Sequence, residues 1–164
     1  MSRNAGRTRR SVLLAGLGTA GALAGCSSGE ETDAGPTAGT ADLDLREANV
    51  VDVAIEREGA SVSFDVTLHH DDDGEPGYAN WWQVETVDGQ RLGRRELAHA
   101  HSNQPFTRSG TFEIRADVSC VIVRGHDQTH GYGGQVMVVS LETGATRAVS
   151  QGSDRQSIGD SECP

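Results

Sequence analysis

The sequence predicts an all-β fold in which two antiparallel sheets pack face to face, and three observations carry that expectation. Apolar residues recur at every second position in short stretches, as in Val62, Phe64, Val66 and Leu68 with polar residues between them, which is the period of a strand with one buried face. No segment sustains the 3.6-residue apolar period of an amphipathic helix. Asp88-Gly89 stands between two strand-like stretches, and that dipeptide is a strong signal for a tight hairpin.

Taken in order, Val50, Val51, Val53 and Ile55 mark a first strand and Val62 to Leu68 a second, with Gly59 in the turn that joins them. Asp71-Asp72-Asp73-Gly74-Glu75-Pro76-Gly77 is a loop on composition. Trp81 to Val87 reads as a third strand and Arg91 to Leu97 as its hairpin partner. Phe112 to Ile114 is a short fifth, Cys120 to Val123 a sixth and Val136 to Leu141 a seventh. About seven short strands at this spacing suggest a sandwich of immunoglobulin-like type. Neighbouring residues on a strand face opposite ways, so one of Trp81 and Trp82 must point into the core, leaving at most one as an aromatic platform. The domain is expected over residues 42–150, followed by a loosely ordered polar tail, 151–164.

The first 25 residues read as a targeting segment, with Arg3, Arg7, Arg9 and Arg10 ahead of an apolar run from Val12 to Ala24. That run is diluted by Gly16, Gly18, Thr19 and Gly21 and falls short of the roughly 20 apolar residues a bilayer span needs. Residues 26–41 are small and acidic, with almost nothing able to pack, and read as a flexible tether that would hold the domain on the order of 20 Å from a membrane.

All 14 basic residues are arginine, against 24 acidic ones. Four of the arginines and none of the acids precede Cys26, so the part from Cys26 onward carries ten against 24, a balance of −14. Nucleic acid and anionic lipid surfaces would be repelled by that charge. Capture of a cationic ligand is one reading of the acidity. The other is a solvated surface adapted to molar salt, where the Debye length falls to roughly 3 Å and neighbouring carboxylates barely repel.

Six histidines fall in three pairs: His69 and His70, His99 and His101, His126 and His130. If strands alternate in direction, the second, fourth and sixth end at the same pole, and each pair lies at or just past one of those ends. Imidazoles at that density suit Zn²⁺ or Cu²⁺, with His99, His101, His126 and His130 as candidate ligands and His69, His70 and Asp127 as secondary ones. The competing reading is that these histidines hydrogen-bond loop backbone at a crowded pole. Cys120 and Cys163 are a candidate disulfide outside the reducing cytoplasm, the alternative being a Cys120 buried as a small apolar residue. Gly131-Tyr132-Gly133-Gly134 lacks the Gly-Lys-Ser/Thr ending of a phosphate loop. Asp71 to Glu75 lacks the ligand spacing of an EF-hand. With no nucleophile elbow either, the reading leans away from an enzyme.

Several stretches carry family resemblances. Thr8-Arg9-Arg10-Ser11-Val12-Leu13-Leu14 resembles the twin-arginine export motif, which implies export of an already folded protein. Leu23-Ala24-Gly25-Cys26 resembles a lipobox, which implies cleavage before Cys26, acylation of its sulfur and anchoring at the outer face of the cytoplasmic membrane. Abundant acid with no lysine resembles haloarchaeal proteins. Leu97-Ala98-His99-Ala100-His101, Gln104-Pro105-Phe106-Thr107-Arg108, Arg124-Gly125-His126-Asp127 and His130-Gly131-Tyr132-Gly133-Gly134 resemble a family of small exported proteins of unknown function. Tyr78-Ala79-Asn80-Trp81-Trp82-Gln83-Val84, with Val121-Ile122-Val123-Arg124 leading to His130-Gly131, is similar to superoxide reductase, whose immunoglobulin-like domain holds iron with four histidines and a cysteine. This chain departs from that pattern, with Asp127 where the cysteine should stand and Gly77 in place of a histidine. The expectation is a lipid-anchored envelope domain with a divalent-metal site at its histidine pole, or else a non-catalytic module that contacts another envelope protein.

Overall fold

The computed structural model describes residues 43–72 and 74–164. The expected signal segment 1–25, the tether 26–41 and with them Cys26 and the paired arginines lie outside the described residues. Nine strands follow one another among those described: β1 (Asn49–Glu58), β2 (Ser61–His69), β3 (Ala79–Thr86), β4 (Arg91–Glu96), β5 (Phe106–Glu113), β6 (Cys120–Asp127), β7 (Gly131–Tyr132), β8 (Gln135–Ser140) and β9 (Thr146–Ser150). One antiparallel sheet has the order β1-β2-β5. The other has the order β4-β3-β6-β8-β9, with β7 paired to β6. This partition of consecutive strands between two sheets is the Greek-key division of an immunoglobulin-like sandwich.

The core follows from alternation. Val62, Phe64, Val66 and Leu68 on β2 are wholly buried, while Ser63, Asp65 and Thr67 between them face outward and meet Thr111, Ser109 and Thr107 of β5 in side-chain hydrogen bonds. Val84, Val121, Val123 and Val139 answer from the second sheet. Burying each such side chain contributes about 1.5–3 kcal/mol relative to leaving it exposed. Trp82 lies at the centre, fully buried and edge-on to Phe112 with ring centroids 5.8 Å apart.

The structure extends the expected fifth strand and adds two. β5 starts at Phe106 rather than Phe112, and its inward row includes Arg108 and Gly110, which hide the apolar alternation. Gly110 has no side chain because Trp82 fills the space: a Cβ there would sit 2.9 Å from the indole. β7 and β9 are short, and β9 presents little more than Ala148 and Val149 as apolar surface.

Residues 151–164 do not trail away from the domain. Every residue of β8 is buried, because the tail covers the outer face of the second sheet. Ile158 is 5 % exposed and packs with Cys120, Ile122, Val136 and Val138 in a second, smaller core. Cys120 and Cys163 are joined by a disulfide, with Cα atoms 6.2 Å apart and 43 residues of separation. Closing a loop of that length is worth about 4 kcal/mol in the chain-entropy model.

Beneath the tail lies a buried charged network. The Glu85 carboxylate accepts from Arg124 Nε at 2.9 Å and from Arg155 Nη2 at 3.0 Å, and it also contacts the Gln83 amide. Arg124 reaches onward to the Gln151 side chain and, at 2.8 Å, to the Gln156 carbonyl. Burial alone would raise the Glu85 pKa, yet the hydrogen bonds from Arg155 and Arg124 outweigh it and hold the carboxyl below its ordinary value.

Candidate functional site

The ends of β2, β4 and β6 lie at one pole, and Asp72 fastens three segments there. Its backbone is left-handed, at φ 43°. Asp72 Oδ1 accepts from the Ala79 N–H at 2.9 Å, at the start of β3, and Oδ2 accepts from the His101 N–H at 2.5 Å, in the β4–β5 connection. His70 lies against the same carboxylate, with Nδ1 2.7 Å from Asp72 Oδ1 and 2.8 Å from the Asp72 N–H. On its other side, His70 Nε2 donates to the Arg46 carbonyl at 3.0 Å.

That last bond ties in the segment that enters the domain. Asp71 N–H donates to the Leu45 carbonyl at 2.7 Å, and the Asn49 amide bridges the carbonyls of Asp44 and Glu47 at 2.8 and 2.7 Å. The Ala48 carbonyl presses onto Gly125 and Gly133, where a Cβ would come within 2.1 and 1.9 Å of its oxygen. Gly133 and Gly134 of the Gly131-Tyr132-Gly133-Gly134 stretch therefore serve close packing, while Gly131 takes a left-handed φ of 87°. Gly125 and Gly133 leave room for the entering chain between β6 and β8.

Asp127 shapes the other rim of the pole. Its Oδ1 accepts from the N–H groups of Thr129 and His130 at 2.7 and 2.6 Å, turning the chain after β6. Asp127 Oδ2 is buried without a hydrogen-bond partner, 4.0 Å from His70 Nε2. The His130 ring is 41 % exposed, with Nδ1 3.5 Å from Asp127 Oδ1.

His101 is buried and stacked between Phe106, at 3.9 Å, and His99, at 4.9 Å. Both its ring nitrogens lack a hydrogen-bond partner, Asp72 Oδ2 standing 3.5 Å from Nδ1. Burial, reinforced by the charge of Arg108, lowers its pKa below the usual histidine value. His69 is half-buried and its Nδ1 also lacks a partner.

His126 stands apart. On a strand, neighbouring residues point to opposite faces, so with Asp127 inside, His126 lies on the outer face of the second sheet. There it stacks on Trp81 at 4.1 Å, and its Nδ1 donates to Asn80 Oδ1 at 2.8 Å. Burial foremost, and Arg94 with it, lower its pKa. The Arg94 guanidinium covers the opposite side of Trp81 at 3.8 Å, and Tyr132 meets both rings edge-on at 5.5 Å. Trp81 is thus enclosed and 7 % exposed, not an open platform.

The expected four-histidine site is not gathered in this structure. His99 and His101 pair with each other, His130 belongs to Asp127, and His126 is committed to Asn80 and Trp81. Among the described residues, no three His, Cys, Asp or Glu side chains are placed to hold one metal ion. Zn²⁺ and Cu²⁺, which ask for three or four convergent donors, do not fit this arrangement. Sequence reasoning found the pole but missed its fastener, Asp72, which was hidden in a run of three aspartates. It also missed Arg94 and Tyr132, whose approach to Trp81 depends on sheet order.

No family model matches the chain. The chain is similar to a protein of Halomicrobium mukohataei described as "Putative lipoprotein", at 65 % identity over 126 residues. The matched region covers 76 % of this chain and 63 % of that protein, so this chain spans less than two thirds of its relative's length.

Proposed function

We propose that this is an exported, lipid-anchored immunoglobulin-like domain of a salt-adapted cell envelope, working as a non-catalytic recognition module. The single observation that carries the anchoring is the 65 % identity to a protein described as a lipoprotein. It is supported by Leu23-Ala24-Gly25-Cys26, ahead of which stand Arg9-Arg10 and the apolar run of a twin-arginine signal. The −14 balance without lysine supports a molar-salt setting, in which such a surface stays soluble without strong self-repulsion.

The module reading rests on where the polar side chains go. His70, Asp72 and Asp127 bond the backbone of the entering segment, the start of β3, the β4–β5 connection and the turn after β6. They act as fasteners between loops.

Replacing the anchor residue tests the reading. The Cys26→Ser protein is expected in the medium, or held with its signal uncleaved, where wild type fractionates with membranes. Membrane retention of a processed Cys26→Ser chain at wild-type levels would overturn the lipid-anchor assignment.

A further inference from the structure

Among the described residues, the second sheet has an open edge at β4, which pairs only with β3. An open edge presents unpaired N–H and C=O groups to any extended chain that approaches. Four edges of the sandwich invite comparison. β1 carries Asp52, Glu56 and Glu58 against Arg57, and β5 carries Arg108 against Glu113. The one arginine of β9, Arg147, is paired with Glu162. β4 alone is strongly cationic, with Arg91, Arg94 and Arg95 against Glu96 in six residues. It does so in a chain whose balance after Cys26 is −14.

Two of these three arginines have no acidic partner among the described residues: neither Arg91 nor Arg95 has a carboxylate within salt-bridge distance, and both are exposed. Arg94 is fixed in place: its Nε and Nη2 donate to Gln83 Oε1 at 3.0 and 2.6 Å, its Nη1 lies 4.0 Å from Glu96 Oε1, and its plane lies over Trp81. Beside the edge, Trp81, His126 and Tyr132 form a rigid aromatic flank. Arginine, tryptophan and tyrosine are the residue types that most often dominate binding energy at interfaces.

We propose that the β4 edge, with the Arg94–Trp81–His126 stack beside it, docks an acidic extended segment of another exported protein, which adds to the second sheet as a further strand. Charge complementarity selects the partner. A second copy pairing through β4 would bring three arginines and only one glutamate from each strand to the seam, whereas an acidic segment offers each guanidinium a carboxylate. In molar salt, long-range attraction is screened within about 3 Å, so recognition must come from contacts that survive it. Arginine suits this, because it is weakly hydrated and binds carboxylate through two parallel hydrogen bonds.

This inference deepens the recognition-module reading and is independent of the lipid anchor, so its failure would leave the anchoring test standing. The probe is a labelled eight-residue peptide alternating acidic with Val or Thr residues, set beside the same peptide with amides for acids. Binding is followed by fluorescence polarisation to the detergent-solubilised full protein in about 2 M KCl. The acidic peptide should bind at least tenfold more tightly than its amide counterpart. The Arg91→Glu, Arg95→Glu double variant should lose at least tenfold, and an Arg57→Glu, Arg115→Glu control should stay close to wild type. Amide exchange should slow over Arg91–Glu96 when the peptide is bound. Absence of binding, equal affinity in the two double variants, slowing at a different edge, or dimerisation of the protein through β4 would each overturn the proposal.

Discussion

Glu85→Ala is expected to destabilise the domain by about 3–5 kcal/mol, the cost of leaving a buried charge without its partner. Glu85 and Arg124 are each 1 % exposed and joined at 2.9 Å. Arg155, whose side chain is 35 % exposed, can turn to solvent when the carboxylate is lost. Arg124 cannot, because β3, β6 and the tail enclose it. Replacing both residues with apolar ones of similar size, Glu85→Leu with Arg124→Met, should recover much of the loss, since an apolar pair removes the desolvation penalty on both sides. The network also sets an acid limit. The Glu85 pKa is lowered on folding from 4.5, so its stabilisation is present above that value and is lost as pH falls through the lower folded value. Urea denaturation at neutral pH measures the mutational loss, and repeating it from pH 5 to pH 2 should show the wild-type midpoint falling more steeply than that of the double variant. Single and double variants of equal stability would contradict the account.

Gly133→Ala is expected to cost about 3 kcal/mol or more, at the upper end of what overpacking does. A Cβ at this position would lie 1.9 Å from the Ala48 carbonyl oxygen and 2.5 Å from its carbon. Both are backbone atoms, and Ala48 is fixed between the Arg46 and Asn49 anchorages, so the clash is not relieved by a rotamer change. Gly59→Ala is the informative comparison. Gly59 has φ 64° but nothing within 4 Å of an added Cβ, so only the left-handed backbone penalty applies, about 1–2 kcal/mol. Thermal unfolding in molar KCl should order the variants with Gly133→Ala well below Gly59→Ala. The reverse order would mean that the entering segment is not held against β6 and β8.

How much of this was legible in the sequence depended on whether the signal was local. β2 announced itself because Val62, Phe64, Val66 and Leu68 all face one core. β5 did not, because Arg108 and Gly110 occupy inward positions, and the space that Gly110 leaves is filled by Trp82 from the other sheet. The tail looked unable to pack because it holds a single buried aliphatic, Ile158. Its place is set by the long-range link to Cys120 and by Arg155 and Gln156 reaching Glu85 and Arg124. Strand direction was enough to foresee a shared pole for the ends of β2, β4 and β6. It was not enough to foresee a ligand set, since His126 and Asp127 are neighbours that point to opposite faces. The entering segment proved as important as the histidines, and its contacts with Gly125, Gly133 and His70 span most of the domain's sequence.

The most direct test of the central claim, a lipid-anchored envelope domain, is the intact mass of the protein extracted from membranes with detergent. The account predicts a chain that begins at Cys26 and is heavier than its sequence mass by the acyl groups on that residue. An unmodified chain, or one that retains residues 1–25, would contradict it.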